Sequence, residues 1–216
     1  TDRVLRKATT LKYKDGDEPF IEFDSSNTHD LLVFTNQCQV YKRKVAAFED
    51  TKSAQLGSYL PADLEMDADE TVTWVIDPED YKADALFVFE NGRVARVALS
   101  GYATKTNRKR LKNAIYGGSK LMYATVLKEE RDLALVSSDY RLVNFNTSLL
   151  KTKTTNSTQG VQALTIKGSR TVTMVGTAEE FISGKAQVEK FRAEKLPSAG
   201  APMKETDMKS LFDLEE

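Results

Sequence analysis

Three stretches of the chain align with one another without a gap: HDLLVFTNQCQVYKRKVAAF from His29, ADALFVFENGRVARVALSGY from Ala83 and RDLALVSSDYRLVNFNTSLL from Arg131. In each, an aspartate (Asp30, Asp84, Asp132) opens a short apolar run, a few polar residues follow, and an alternating run resumes at Val40, Val94 or Leu142. Run, tight turn and second run are the pattern of a β-hairpin, and Asn91-Gly92 gives the middle copy a strong turn signal. RVLRKATTL from Arg3 aligns with RLVNFNTSL from Arg141 and suggests a fourth copy, cut at its turn. Between hairpins, DGDEPFIEFD from Asp15 and DADETVTWVID from Asp67 pair an acidic turn with β-branched and aromatic residues; KLMYATVLKEE from Lys120 and QALTIKGSRTVTMV from Gln162 are looser versions. Each unit is therefore a hairpin plus one or two strands. The aspartates recur at intervals of 54 and 48 residues, close to the ~40–50 residues of a propeller blade.

The fold expected is all-β, a propeller-like array of about four blades over residues 1–176 with its N-terminal hairpin truncated. After Val175 the pattern changes. Thr177 is a cap candidate, acids precede lysines, and Phe181, Val188 and Phe191 fall at loose helical spacing, which predicts a short helix over 177–195 weakened by Gly184. LPSAGAP reads as an irregular linker, and 196–216 as linker and flexible tail.

Charge is unevenly distributed in a chain whose net charge is −1. Pro61 to Glu90 holds ten acids and one base, whereas Gly101 to Gly118 holds five bases (Lys105, Arg108, Lys109, Arg110, Lys112) and no acid. Further basic clusters are Arg3, Arg6, Lys7, Lys12 and Lys14; Lys42, Arg43 and Lys44; and Lys151 with Lys153. Such separation gives a polar-faced molecule whose net charge says little about its partner. The single cysteine, Cys38, has no partner for an internal disulfide, which favours a reducing, cytoplasmic setting. No apolar run reaches the ~18 residues of a membrane span. The chain begins at Thr1, as a fragment of a longer protein would.

Motifs for catalysis or metal binding are weak. His29 and Cys38 are the sole residues of their kinds, and no third group to orient them is identifiable. GGSK at Gly117 has neither the length nor the order of a P-loop, and the acids from Asp63 to Glu70 lack the glycine and terminal glutamate of a calcium loop. Trp74 sits in an apolar strand and reads as core. The expectation is no catalytic residue, no metal and no cofactor in this segment.

The repeats resemble those of a known family, the C-terminal β-pinwheel of the A subunit of bacterial type IIA topoisomerases, DNA gyrase and topoisomerase IV. The resemblance runs to about Val175 and rests on DLLVFTNQCQVYKRKV, similar to the family's D-x-L-L-x-F-T-x-x-G-x-V-Y-x-x-K core, and on LFVFENGRVARV, YATKTNRKRL and TQGVQALTI. It is that of a short form, nearer to topoisomerase IV than to full gyrase, since no Q-R-R-G-G-K-G box is found. Cys38 and Tyr140 stand where the family turn has glycine, which predicts that those two turns are built differently.

The resemblance implies sequence-independent binding and bending of double-stranded DNA along the outer rim, through phosphates. The partners it implies are the rest of a dimeric A subunit together with an ATPase B subunit, with ATP and Mg used by other domains, at the bacterial nucleoid. Lys and Arg contacts to phosphate give affinity without sequence reading and make it salt-dependent. Arg6, Lys42 and Arg96 occupy aligned positions that Asn144 breaks; Arg3, Arg93 and Arg141 form a second series that Gln39 breaks. The two series point to opposite strand faces, so only one faces DNA, and the series of Lys42 is preferred. The DNA-binding candidates are Lys105, Arg108, Lys109, Arg110, Lys112, Lys42, Arg43, Lys44, Arg6, Lys7, Arg96, Lys151 and Lys153. An alternative is a protein-interaction propeller that uses its charged rim. The tail MKSLFDLEE resembles, with Ser210, Leu211 and Phe212, the short peptides that dock in the bacterial sliding clamp, while Met208 and Lys209 depart from that pattern.

Overall fold

The computed structural model describes residues 20–50, 57–104, 108–183 and 185–207 of the 216-residue chain. All three aligned stretches form hairpins: β1 (Asp30–Thr35) with β2 (Val40–Lys44), followed by β3 (Val72–Ile76); β4 (Asp84–Phe89) with β5 (Arg93–Ala98), followed by β6 (Arg110–Leu111) and β7 (Leu121–Leu127); and β8 (Asp132–Ser137) with β9 (Arg141–Asn146), followed by β10 (Val161–Gln162), β11 (Val172–Gly176) and β12 (Ala201–Pro202). They make three antiparallel four-stranded sheets, ordered β3-β1-β2-β6, β7-β4-β5-β10 and β11-β8-β9-β12. Register is the same in each, with Phe34 opposite Val40, Val88 opposite Val94 and Val136 opposite Leu142.

The first two sheets take their fourth strand from the connector that follows the next hairpin. After β5 the chain returns to lay β6 on β2, then advances to pair β7 with β4; after β9 it returns to lay β10 on β5, then pairs β11 with β8. In the third sheet the segment read as linker supplies the fourth strand, β12.

Alternation along strands buried on both faces sends successive side chains into different cores. Leu32, Phe34 and Val40 of the first sheet meet Ala85, Phe87 and Phe89 of the second, with Phe34 and Phe87 edge to face at 5.2 Å. Leu86, Val88 and Val94 point the other way, onto Leu133, Leu135, Val143 and Phe145 of the third. Both outer faces are covered. On the first sheet, Val33 and Tyr41 lie under Leu60, Leu64 and Met66 from α1 (Leu60–Asp63) and the turn after it. On the third, Ala134, Val136 and Leu142 lie under α2 (Ala178–Phe181), α3 (Lys185–Val188) and the turn holding Phe191. The segment expected as one helix over 177–195 is thus two short helices and a 3-10 turn, started where Thr177 donates its N–H to the Glu180 carboxylate at 3.1 Å.

The three hairpin turns are built alike, which corrects the expectation for Cys38 and Tyr140. Cys38, Gly92 and Tyr140 have φ of 59°, 79° and 57°, and their N–H groups donate to the carbonyls of Thr35, Phe89 and Ser137 at 3.1, 2.9 and 2.8 Å. The hairpin register imposes the left-handed conformation even on residues with a Cβ, at a cost of roughly 1–2 kcal/mol each. Trp74 is half-buried rather than core, its ring edge-on to Phe20 and Tyr123. The truncated fourth hairpin falls outside the described residues, as does the tail from Met208.

Candidate nucleic-acid interface

The cations of β2 divide between two strand faces. Lys42 lies on the Val40 side, its Nζ 3.8 Å from Asp30, 3.3 Å from the Thr104 hydroxyl and 5.1 Å above the Tyr81 ring. Tyr81 donates its hydroxyl to the same aspartate at 2.8 Å, and burial followed by that carboxylate pushes its phenol pKa up. Lys44 reaches Asp30 at 3.4 Å with its side chain 66% exposed. Arg43 points to the opposite face, where it donates to the carbonyls of Ala47 at 3.0 Å and Asp63 at 3.3 Å over the Phe48 ring.

The return of the chain to β2 brings a second cluster to the first. The Lys109 carbonyl accepts from the Lys42 N–H at 2.7 Å, so Arg108, Lys109 and Arg110 border the same cleft as Lys42, Arg43 and Lys44. The cleft encloses about 590 Å³, and its other wall is acidic, with Asp63 and Glu65. Arg110 is engaged across that wall: its guanidinium is paired with Asp67, bonded to Gln39 and stacked over Tyr41 at 5.4 Å. The hydrogen bond from Arg110, joined by one from Gln39 and opposed by burial, holds the Asp67 carboxyl below its usual range. Arg108 and Lys109 are exposed and make no ion pair among the described residues, and Lys112 is likewise exposed.

The aligned positions reveal a division of labour hidden in the sequence. Arg96 gives its Nε–H to Asp84 at 2.6 Å and an NH1 hydrogen to Glu130 at 2.7 Å, so it ties its own blade to the next turn and is only 18% exposed. Lys42 serves Asp30 in the same way. In the third sheet Asn144 replaces the cation, and Arg192 from the C-terminal segment takes over, 2.8 Å from Asp132. The second series is equally committed. Arg93 donates to the Gly160 carbonyl at 3.4 Å, and Arg141 to those of Ala199 and Gly200 at 2.8 and 2.6 Å. These arginines grip the incoming fourth strand. Where Gln39 breaks the series, the arginine comes from the other side, as Arg110 bonded to Gln39.

Lys151 and Lys153 are exposed beside Arg96 at a smaller cleft of about 200 Å³, where the Lys153 N–H donates to the Arg96 carbonyl at 2.8 Å. His29 and Cys38 lie beyond opposite ends of β1; His29 pairs with Asp77 at 2.8 Å. No three metal-ligating side chains cluster among the described residues. None of their helices is long and apolar enough to cross a membrane. Arg6, Lys7 and Lys105 fall outside the described residues, as do Ser210, Leu211 and Phe212 of the tail.

Hairpin-based sheets stacked face to face, each completed by a strand from later in the chain, define a β-pinwheel. Known proteins place it more narrowly. The A subunit of DNA topoisomerase 4 from Staphylococcus aureus (strain MRSA252) is 24% identical over 171 residues, covering 77% of this chain and 21% of that protein. The protein of the same name from Staphylococcus epidermidis is 24% identical over 170 residues, with the same shares. Among solved structures, the E. coli ParC C-terminal domain superposes with a TM-score of 0.70 at 15% identity, over 93% of this chain and 86% of that one. A C-terminal domain of DNA topoisomerase IV gives 0.67 at 21% identity, over 80% and 55%, and the DNA gyrase A C-terminal domain 0.58 at 16%, over 92% and 69%. No family model matches the chain. The chain spans about a fifth of the length of the curated relatives it matches. In sequence and fold together it is a β-pinwheel similar to the C-terminal domains of type IIA topoisomerase A subunits, as the repeats indicated.

Proposed function

We propose that this pinwheel binds duplex DNA through its phosphates without reading sequence, and bends it. In a complete A subunit it would present the duplex to the cleavage core for strand passage, with ATP and Mg handled by other domains and the B subunit, in the cytoplasm at the nucleoid. One observation carries the reading: two basic segments more than sixty residues apart, Lys42–Lys44 and Arg108–Arg110, border one open cleft. Lys42, Arg43 and Arg110 are held by carboxylates or carbonyls, so the groups left for phosphate there are the exposed Arg108 and Lys109, joined by Lys44, which pairs with Asp30 at 3.4 Å but is 66% exposed. Three lysine or arginine contacts to phosphate contribute roughly 2.7 to the log–log salt slope, at ~0.9 per contact.

The test is fluorescence anisotropy of a labelled random-sequence duplex titrated with the chain at several salt concentrations. Tight binding at low salt that collapses with salt and ignores sequence supports the reading, as does loss of that binding in Lys44→Glu/Arg108→Glu/Lys109→Glu. No binding at low salt, or binding indifferent to the triple change, overturns it.

A further inference from the structure

Register identifies equivalent residues at the junctions where a returning connector meets a hairpin. Val161 pairs with Val94 in the second sheet and Ala201 with Leu142 in the third, and Val94 and Leu142 are themselves equivalent. Counting back the same number of residues sets Lys151 against Phe191 and Lys153 against Ala193. Backbone contacts agree: Lys153 bridges Val97, Arg192 bridges Asn144, and the N–H groups of Lys153 and Ala193 donate to the equivalent carbonyls of Arg96 and Asn144 at 2.8 Å. Two exposed lysines at the second junction are thus replaced at the third by a phenylalanine, 3% exposed, and an alanine packed on the core. The cation that does lie there, Arg192, is paired with Asp132 at 2.8 Å and has Glu194 at 4.0 Å. Lys190 beside it is paired with Asp207 at 3.1 Å.

We propose that the phosphate track of this pinwheel is two junctions long. It runs from Lys44, Arg108 and Lys109 at the first to Lys151 and Lys153 at the second, and it stops at the third. The first end is bounded by the acidic strap that carries Asp63, Glu65 and Asp67, which lines the first cleft and holds Arg43 and Arg110. At the other end the cations nearest the junction, Arg192 and Lys190, are paired with Asp132 and Asp207. A duplex phosphate meets exposed positive charge along the middle of the stack, with Lys44 paired only with Asp30 and 66% exposed, and carboxylates at either limit, so the bound segment is shorter than three equally basic junctions would hold. This inference rests on the DNA-binding reading.

The same duplex, titrated at several salt concentrations, tests it with two double variants of the full chain that change net charge equally. Lys151→Glu/Lys153→Glu alters the second junction, and Lys195→Glu/Lys204→Glu alters exposed lysines of the C-terminal cap. Circular dichroism verifies that both fold. The first pair is expected to weaken binding at least tenfold and to make the log–log salt slope shallower by about 2, at ~0.9 for each phosphate no longer neutralised; the second is expected to leave the slope unchanged. Equal losses in the two variants, or an unchanged slope in the first, overturn the two-junction track while leaving DNA binding intact. No salt-dependent binding by the unmodified chain overturns the DNA-binding reading itself, and the track with it.

Discussion

Arg96→Met separates a structural cation from a DNA-contacting one at a position where the aligned repeats argued for contact. The substitution keeps most of the aliphatic stem and deletes the donors that reach Asp84 at 2.6 Å and Glu130 at 2.7 Å. Asp84, 16% exposed, keeps the Thr152 hydroxyl at 2.7 Å as a remaining donor. Breaking a fully buried pair costs about 3–5 kcal/mol, because the surviving charge is stranded. Thr152 remains and Glu130 is 42% exposed, so solvent screens part of the loss and the expected cost is about 2–3 kcal/mol. With a urea slope of about 2 kcal/mol/M, the denaturation midpoint falls by about 1–1.5 M. Adding Asp84→Asn removes the stranded charge and returns about 1–2 kcal/mol, a coupling that a double-mutant cycle reads directly. DNA affinity of the folded variant stays within twofold of the unmodified chain. A wild-type midpoint together with a large loss of DNA affinity would refute the argument, since Arg96 would then face phosphate and not its own aspartate.

Other substitutions probe the frame. Tyr140→Gly relieves a left-handed φ of 57° and should raise stability by about 0.5–1 kcal/mol in thermal unfolding, the relief exceeding the backbone entropy that glycine adds. Gly160→Ala places a Cβ 2.1 Å from the Val94 carbonyl oxygen at a φ of 65°, so β10 must detach or shift, and a loss of about 2 kcal/mol or more is expected by urea denaturation. Glu70, 4% exposed, accepts the hydroxyls of Thr35 and Tyr41; Glu70→Leu strands the Tyr41 hydroxyl, leaves Thr35 with the Gln39 carbonyl at 3.5 Å, and should cost about 2–4 kcal/mol, loosening the acidic strap first in hydrogen exchange. The Asn146 amide and then Arg192, against opposing burial, hold the Asp132 carboxyl below its usual range. Its folded pKa is depressed, so its stabilisation is complete above the unfolded value of about 3.9 and is lost as pH falls through the folded one. Asp132→Asn should therefore unfold with a shallower dependence on pH below about 4 than the unmodified chain.

The hairpins were legible because the information that makes them is local: an aspartate, an apolar run, a turn and a second run repeat within about twenty residues. β6, β10 and β12 were not, because two-residue strands carry no periodicity and exist only where another hairpin receives them. The same limit governed the charges. Sequence alignment recognised Lys42 with Arg96, and Arg93 with Arg141, as equivalent, yet which series pairs with the aspartate of its own hairpin and which grips carbonyl oxygens depends on the connector that folds back over them. Proximity of Lys42–Lys44 to Arg108–Arg110 was likewise invisible, although each cluster stood out alone. Reading Cys38 and Tyr140 as different turns failed because residue preference is a weaker constraint than hairpin register.

Borrowing the fourth strand of each sheet from later in the chain also sets an order of assembly. As the chain leaves the ribosome, the first sheet stays one strand short until Leu111 has emerged, the second until Gln162 and the third until Pro202. A nascent hairpin therefore waits with an open edge for roughly the length of another blade, and an open edge invites pairing with other chains. Arg93 and Arg141 donate to carbonyls beside the arriving strand, so each edge closes with side-chain as well as backbone hydrogen bonds.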